Sequence, residues 1–462
     1  MRKFLKLLRE ALSSEEKDFT KERLNRALVL LSIPMVLEMV MESLFAVVDI
    51  YFVSRISVKA VDAVGLTEGV LTIIYSAAMG LSMAATAMIA RRIGEKQPDK
   101  ASHAAVQAIW IGLGLGIALG VSGFLLAEDI LRLMGATPEV IEEGVGYTRI
   151  MFGSNIVIVF LFLFNGIFRG AGDAVIAMRT LWIANGLNIL LDPLLIFGIG
   201  PFPELGVAGA AVATCTGRGI GVLYQLYHLL IGKKGMIHLK RPHMKLDWDI
   251  IRRLGKVGAT GAGQMVIPSI SWIFLMRIIA FSGEDALAGY VLAIRVIIFT
   301  ILPSWGLSNA AATLVGQNLG AGLPDRAEKA TWRAGLINMV FLLIVSVIFF
   351  TLSRQVIGIF TSDPEVIEAG VLSLRIICVG YIFFAYGMVV SQAFNGAGDT
   401  RTPTLINLFC FWGMEIPLGY LMGVTLGMGL AGVCWAVAIS ETALAIIAIL
   451  IFRKGHWKKV SI

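Results

Sequence analysis

The sequence is poor in charged residues. Lys, Arg, Asp and Glu make up 15% of its 462 residues, whereas soluble domains carry about 25%. Hydrophobic residues make up 57% of the chain, and the mean hydropathy is +0.80. This balance excludes an ordinary soluble domain, and we expect a polytopic membrane protein.

Cysteine and histidine are also scarce. The four cysteines lie inside apolar runs without a Cys or His neighbour at metal-ligand spacing, so we interpret them as packing residues. The five histidines lie in loops or at the ends of apolar runs, and no catalytic constellation supports a membrane-embedded enzyme, which is the alternative class. No Walker motif is present, which argues against ATP as the energy source. We therefore expect no cofactor.

Twelve apolar segments are long enough to cross a bilayer as helices. The first run is too long for a signal peptide, so we expect it to be a span. Residues 1–27 precede it as a polar tail, for which an amphipathic surface helix and a solvated segment both remain open. The segments cover residues 28–53, 60–90, 104–127, 146–168, 176–199, 206–231, 254–281, 286–316, 333–352, 370–394, 402–425 and 430–452.

Lys and Arg residues concentrate in the loops on one side of such a bundle. By the positive-inside rule we expect a multi-pass protein of the cell (inner or plasma) membrane with both termini in the cytoplasm. The middle loop between the sixth and seventh spans is the most basic of these, with Lys233, Lys234, Lys240, Arg241, Lys245, Arg252 and Arg253.

The two halves of the chain repeat one sequence pattern at a constant offset. Gly94 corresponds to Gly320 (320 − 94 = 226), and the segments FRGAGD at 168–173 and FNGAGD at 394–399 share this offset. Because each copy holds six spans, the copies share one topology and are related by an axis along the membrane normal. The predicted fold is an all-α membrane protein of twelve transmembrane helices in two six-helix lobes with pseudo-twofold symmetry.

These patterns divide the chain into five parts. We expect a cytoplasmic N-terminal tail, a first lobe, a cytoplasmic linker between the lobes, a second lobe and a cytoplasmic C-terminal tail. Their bounds are residues 1–27, 28–231, 232–253, 254–452 and 453–462.

The first span carries three acids, Glu38, Glu42 and Asp49, near one helical face. A carboxylate in hydrocarbon costs at least ~2.5 kcal/mol, so this face should line a polar interior. Asn188 and Asp192 share a face of the fifth span. Carboxylate and amide oxygens suit a hard cation such as Na⁺, whereas the same acids could instead hold a proton, and both ions remain open. We expect a Na⁺ site, if present, at Asp49, Asn188 and Asp192.

Prolines lie inside several spans. Pro34, Pro193 and Pro417 should interrupt the first, fifth and eleventh spans, because proline lacks the backbone donor that a helix requires. A bend that gates transport and a static kink are both compatible with this pattern.

The chain resembles the multidrug and toxic compound extrusion (MATE) family. The resemblance rests on VVDIYFVSRIS around Asp49, on RRIGEKQPDKA and its copy GQNLGAGLPDRA, on FRGAGD and FNGAGD, on NILLDP, and on PELGVAGAAVAT at 203–214. It implies two six-helix lobes around a central cavity that opens alternately to each side. It also implies export of organic, often cationic compounds driven by inward H⁺ or Na⁺.

The resemblance also implies site residues. The first-span acid of the family falls on Asp49, the fifth-span Asn and acid on Asn188 and Asp192, a fourth-span Asn on Asn165 and a sixth-span Thr on Thr214. We expect these five residues to converge on one polar pocket in which the cation is bound, with Glu38 and Glu42 deeper on the same stripe.

The second lobe lacks the acids that one branch of the family carries. Its seventh span has only Gln264, and its tenth span has no acid. The duplication offers a control, because Asp49 corresponds to Leu275 and Asp192 to Leu418. We therefore assign coupling to the first lobe and treat Gln264 and Glu415 as candidate substrate contacts in the second.

The predicted function is cation-coupled antiport of organic, cationic or amphiphilic compounds. A flippase of lipid-linked oligosaccharide from the same superfamily is the alternative, but such proteins carry extra spans and a strongly basic cavity. We expect small-molecule substrates, a lipid bilayer environment, no nucleic-acid partner and a monomer.

Overall fold

The computed structural model describes residues 2–14, 17–232 and 235–462. Two cations of the basic linker, Lys233 and Lys234, lie outside the described residues. Within the described ranges the chain is helical and contains no strand, which confirms the all-α class.

The helices follow one another in two groups that correspond to the predicted lobes. The first group contains α1 (Arg2–Ala11), α2 (Leu24–Val53), α3 (Val58–Gly94), α4 (Pro98–Leu125), α5 (Ala127–Leu133), α6 (Pro138–Gly153), α7 (Asn155–Ala171), α8 (Ala174–Ile196) and α9 (Val207–Leu230). The second contains α10 (Trp248–Ala280), α11 (Glu284–Gly320), α12 (Pro324–Gly358), α13 (Pro364–Val379), α14 (Tyr381–Ala397), α15 (Arg401–Asn407), α16 (Ile416–Tyr420) and α17 (Gly429–Arg453).

Ten helical segments in the described part of the chain are long and apolar enough to span a membrane, and two bent pairs raise the number to twelve. The pairs are α6 with α7, bent by 45°, and α13 with α14, bent by 59°. Each pair corresponds to one predicted span, the fourth and the tenth. The breaks fall at Ser154 and Gly380, which are repeat partners (380 − 154 = 226).

The duplication extends to the bounds of individual helices. The helices α3 and α11 begin and end 226 residues apart (284 − 58 and 320 − 94), as do α7 and α14 (381 − 155 and 397 − 171). Gly172 and Gly398 end α7 and α14 with the same left-handed backbone, φ 88° and ψ 4°. Only glycine adopts this conformation without strain, which explains the repeated GAGD segment.

The lobes contact each other closely near one end of the bundle. A side chain at Gly94 would overlap the carbonyl oxygen of Gln317, and one at Gly320 would overlap that of Arg91. These two contacts are symmetry partners (317 − 91 = 226). Further from this end, Gly80 of α3 lies against Gly258 of α10. Glycine at these positions lets helices of the two lobes approach at backbone distance.

Both chain termini lie at this end, which we call the terminal end; the opposite end is the distal end. The N-terminal segment bonds to both lobes, because the side chain of Asp18 accepts from Lys96 at 2.8 Å and Arg326 donates to the carbonyl of Phe19 at 3.1 Å. The helix α1 forms, with Ala11 buried against the core, so the surface-helix alternative is favoured for this tail.

The C-terminal segment also packs across the two lobes. Arg91 of the first lobe donates to the carbonyl of Val460, and Lys458 pairs with Glu328 of the second lobe at 2.6 Å. The ring of Trp457 is fully buried and stacks on Phe452. The two terminal segments therefore bridge the lobes on the side where they are closed.

Neither Pro34 nor Pro193 breaks its helix. The helix α2 continues from Leu24 to Val53 through Pro34, and α8 continues to Ile196 through Pro193. A helix can continue past proline when only the one backbone hydrogen bond is lost. Pro417 lies in α16 between two wide π-helical stretches, Leu408–Glu415 and Leu421–Thr425. The eleventh span therefore departs from regular α-helix on both sides of its proline.

We predict that Gly94→Ala and Gly320→Ala each lower the free energy of unfolding by about 1–3 kcal/mol, because each added methyl group collides with backbone of the other lobe. Thermal unfolding of the purified proteins measures this effect. Gly114→Ala is the matched control, since a Cβ there meets nothing within 4 Å. Equal unfolding temperatures for all three variants would contradict the close contact between the lobes.

Candidate cation and substrate sites

A cluster of polar side chains lies between α8 and α9 in their distal halves. The Asn188 amide donates to Asp192 Oδ1 at 3.2 Å and to Thr214 Oγ1 at 3.0 Å. All three residues are buried. The close approach of α9 to α8 depends on Gly217, where a side chain would overlap the carbonyl oxygen of Ala184. We call Asn188, Asp192 and Thr214, with Asp49, the distal cluster.

Asp49 faces this group from α2. Its carboxylate is partly buried and lies within electrostatic range of Asp192, Glu68 and Arg218. No described residue forms a hydrogen bond with it. The two aspartates therefore share one polar region without a direct bond, and like-charge repulsion acts between them when both are ionised.

The distal cluster has oxygen atoms that are not satisfied by the protein. Asn188 Oδ1 and Asp192 Oδ2 are buried without a hydrogen-bond partner among the described residues. Carboxylate, amide and hydroxyl oxygens are the donors that hard cations prefer. The residues Asp49, Asn188, Asp192 and Thr214 therefore fit a small cation such as Na⁺, and the free carboxylate oxygen fits a proton equally well.

A second polar network lies next to the cluster, around Arg218 of α9. Its guanidinium lies 3.6 Å from Glu42 and donates to the Tyr75 hydroxyl at 3.4 Å. Asn185 donates to the other Glu42 oxygen at 3.2 Å. On α3, Glu68 accepts from Tyr147 at 3.3 Å. Glu42 is therefore paired with a buried arginine and is not a free acid.

A central cavity of about 150 Å³ lies between the lobes on the terminal side of that network. Glu38, 1% exposed, lies 3.7 Å from Arg169 and accepts no hydrogen bond from the described residues. Most of the remaining surface is apolar. The lining side chains and backbone come from Glu38, Met39, Glu42, Met79, Ser82, Met83, Thr86, Leu161, Phe162, Asn165, Arg169, Leu181, Leu302, Trp305, Asn309, Ala312, Gln392, Asn395 and Gly396.

The structure does not bring Asn165 into the distal cluster. Its side-chain oxygen accepts from Gln225 at 2.6 Å, and its backbone carbonyl accepts from Arg169 at 3.2 Å. Asn165 lies on α7 and lines the central cavity. Four of the five residues expected in one pocket therefore lie together, and Asn165 belongs to the cavity instead.

Neither candidate of the second lobe lines the central cavity. Glu415 accepts from Ser271 at 3.2 Å and lies within electrostatic range of Glu441. Gln264 is buried, and its backbone carbonyl accepts from Asn407 at 3.1 Å. The structure therefore gives Gln264 and Glu415 contacts inside the second lobe. The second-lobe residues at the cavity are Trp305, Asn309, Gln392 and Asn395, with apolar neighbours.

Acids outnumber cations in the polar core of the first lobe. Arg218 and Arg169 offset one negative charge each, beside Glu42 and Glu38. Asp49, Glu68 and Asp192 remain, so five acids less two arginines leave three carboxylates to be neutralised. A buried carboxylate without compensation is costly. Three protons, or an equivalent positive charge from bound cations, would neutralise these three carboxylates.

The two arginines of this core are not among the residues singled out by the sequence analysis. Arg169 lies within the FRGAGD segment, and Arg218 lies inside the sixth span. The duplication carries the signal that could have found them, since Arg169 corresponds to Asn395 and Arg218 to Leu444. A charged residue that the second copy lacks indicates a specialised role, by the argument already applied to Asp49.

Comparison with known proteins agrees with the fold. The MatE family model matches residues 34–194 and again 260–421, two stretches that begin 226 residues apart (260 − 34 = 226). A protein named "Probable multidrug resistance protein NorM" from Thermotoga maritima is 28% identical over 437 residues, 94% of each chain. "Multidrug export protein MepA" from Staphylococcus aureus is 24% identical over the same share of both chains.

Solved structures show the same architecture. One, described as an outward-facing conformation of a multidrug resistance MATE family transporter of the MOP superfamily, has a TM-score of 0.90 and 28% identity, covering 96% of this chain and 98% of that chain. Another, a MOP superfamily transporter from Pyrococcus furiosus Vc1 for which reverse polarity of the binding pocket is said to suggest a different function, has the same values. The resemblance inferred from the sequence is confirmed: the chain belongs to the MatE family of multidrug efflux transporters and is not an enzyme.

Proposed function

We propose that the protein exports organic cations or amphiphilic compounds in exchange for H⁺ or Na⁺ by alternating access. The observation that carries this proposal is the excess of buried acid in the first lobe, together with the free oxygens of Asn188 and Asp192. A permanent charge excess of this size in a membrane-embedded core is unfavourable. The excess of acid is accounted for if the core repeatedly takes up and releases a cation.

Coupling follows from the electrostatics of the distal cluster. A proton or Na⁺ at Asp192 removes its repulsion with Asp49, which lets α2 and α8 pack more closely. Both helices contribute to the wall of the central cavity through Glu38, Glu42 and Leu181. Closer packing therefore changes the shape of the cavity and weakens its binding of the substrate. A bound ligand shifts such an equilibrium only by its differential affinity for the two states, so the ion and the substrate must favour different ones.

The central cavity suits organic cations. Its lining holds two acids, Glu38 and Glu42, against one cation, Arg169. Met39, Met79 and Trp305 supply polarisable and aromatic surface. Flexible methionine side chains can adapt to substrates of different shape. The acids also distinguish this cavity from the strongly basic one expected of an oligosaccharide flippase.

We infer a cytoplasmic location for the terminal end. Its loops carry the chain's concentration of Lys and Arg, which remain on the cytoplasmic side during insertion. A cysteine at Arg253 should then react with a membrane-impermeant reagent only from the cytoplasm, and one at Glu204 only from the outside. Reaction of both from one side would contradict this orientation.

Asp49→Asn and Asp192→Asn should each abolish export at normal protein levels, because the amide keeps the shape of the carboxylate but carries no titrating charge. Drug resistance of cells that express each variant measures the loss. Asp62→Asn is the matched control, since Asp62 is an exposed aspartate on α3 with no cation of the described residues within 4.0 Å. Full resistance with either site variant would show that the distal cluster is not needed for coupling.

A double-mutant cycle tests the pair at the cavity wall. Arg169→Met leaves Glu38 buried without a cation and should lower the unfolding temperature, whereas adding Glu38→Gln should restore most of it. The expected coupling free energy is about 0.5–3 kcal/mol in thermal or denaturant unfolding. Strictly additive effects of the two substitutions would mean that the residues do not interact.

A further inference from the structure

A basic pocket lies at the terminal end, where the beginning of α2 meets the beginning of α12 beneath α1. Five cations line it, and no acidic side chain of the described residues does. The cations are Arg23, Arg26, Arg326, Lys329 and Arg333. We call this the basic pocket.

Most of this positive charge is not compensated. Arg26 pairs with Glu10 at 2.6 Å and with Glu22 at 3.7 Å. In the described part of the chain, by contrast, neither Arg23 nor Lys329 has an acid within 4.0 Å. The pocket therefore keeps cationic groups that are available to an anion.

The two remaining arginines are positioned by neutral groups. Arg333 donates to the side-chain oxygen of Asn25 at 2.7 Å. Arg326 donates to the main-chain carbonyls of Phe19 and Glu22, while its buried Nε has no partner among the described residues. These contacts fix the orientation of both guanidinium groups without neutralising them, so both keep their full charge for a ligand.

An apolar groove adjoins the basic pocket along the same two helices. Val29 and Ile33 follow Asn25 by one and two turns of α2, and Ile337 and Phe341 follow Arg333 in the same way on α12. Leu307 of α11 lies between them. Because α2 and α12 enter the membrane from this end, the groove runs from the headgroup level into the hydrocarbon.

We propose that the basic pocket and the groove together form a binding site for an anionic phospholipid, with its phosphate among the five cations and one acyl chain in the groove. Basic pockets between helices at a membrane surface attract anionic headgroups. Burial of the chain against apolar side chains adds affinity that a free phosphate lacks. Lipid binding at this site is separate from the proposed export function. Its occupancy does not depend on which ion drives transport.

The site joins the two lobes, since α2 belongs to the first and α11 and α12 to the second. A lipid that contacts both lobes favours the arrangement in which they are close at the terminal end. Anionic lipid should therefore stabilise the closed terminal end that the glycine contacts also maintain.

Binding to the full-length protein tests the proposal, with dioleoylphosphatidylglycerol as the probe and dioleoylphosphatidylcholine as the neutral reference in native mass spectrometry. The triple variant Arg23→Gln, Lys329→Gln and Arg333→Gln should bind the anionic lipid roughly 100-fold more weakly, at about fivefold per cation. The matched control is Arg252→Gln, Arg253→Gln and Lys256→Gln, which removes three exposed cations from the start of α10 and should change binding less than twofold. Wild-type affinity in the first variant would overturn the site.

A second pair of measurements separates a lipid from a free anion. Val29→Trp with Ile337→Trp fills the groove and should weaken dioleoylphosphatidylglycerol binding at least tenfold, and excess inorganic phosphate should fail to displace the lipid from the wild type. Unchanged lipid binding with the groove filled, or displacement by phosphate, would identify a simple anion site and contradict the proposal. Arg23→Lys with Arg333→Lys keeps the charge and should retain binding, which separates loss of the site from loss of folding.

Discussion

The structure depends on one constraint, the cost of keeping charge inside a membrane-embedded core. The first lobe holds five acids and two arginines close together, so its neutral state needs additional protons or cations. Glycine contacts bring α8 and α9 together around Asn188 and Thr214, and Arg218 pairs with Glu42. Asp49, Glu68 and Asp192 have no cation of the described residues within 4.0 Å, and we propose that Asp49 and Asp192 exchange the coupling ion.

The duplication separates scaffold from specialisation. Shared helix bounds, the left-handed glycines Gly172 and Gly398, and the paired contacts of Gly94 and Gly320 build a symmetric frame. The acids break that symmetry, because Leu275 and Leu418 occupy the positions that correspond to Asp49 and Asp192. The acids that we propose for coupling therefore lie in one lobe, while both lobes supply walls to the central cavity.

The sequence was sufficient to predict the number of spans, their approximate bounds and the acid-bearing face of α2, because these follow from hydrophobic length and helical spacing. It was not sufficient to place Asn165, since a family pattern assigns a helix but not the neighbour across it, which proved to be Gln225. Pairing between helices, as in Glu38 and Arg169, depends on how helices pack. The bend at Ser154 could not be predicted in this way, because no proline lies at that position.

Three features hold the lobes together at the terminal end. They are the backbone contacts at glycines, the two terminal segments that bridge the lobes, and the proposed lipid site between α2 and α12. Opening this end must break or rearrange all of them. In the proposed mechanism the energy for that change comes from the ion and the substrate, through their different affinities for the two states.

The central claim is that the acid excess of the first lobe couples export to a cation. Substrate efflux from proteoliposomes, with a Na⁺ gradient and a pH gradient imposed separately, tests it most directly. The account predicts that at least one inwardly directed gradient drives the wild type to move substrate against its own concentration gradient, and that neither drives Asp192→Asn. Uphill transport by that variant, or uphill transport by the wild type without either gradient, would contradict it.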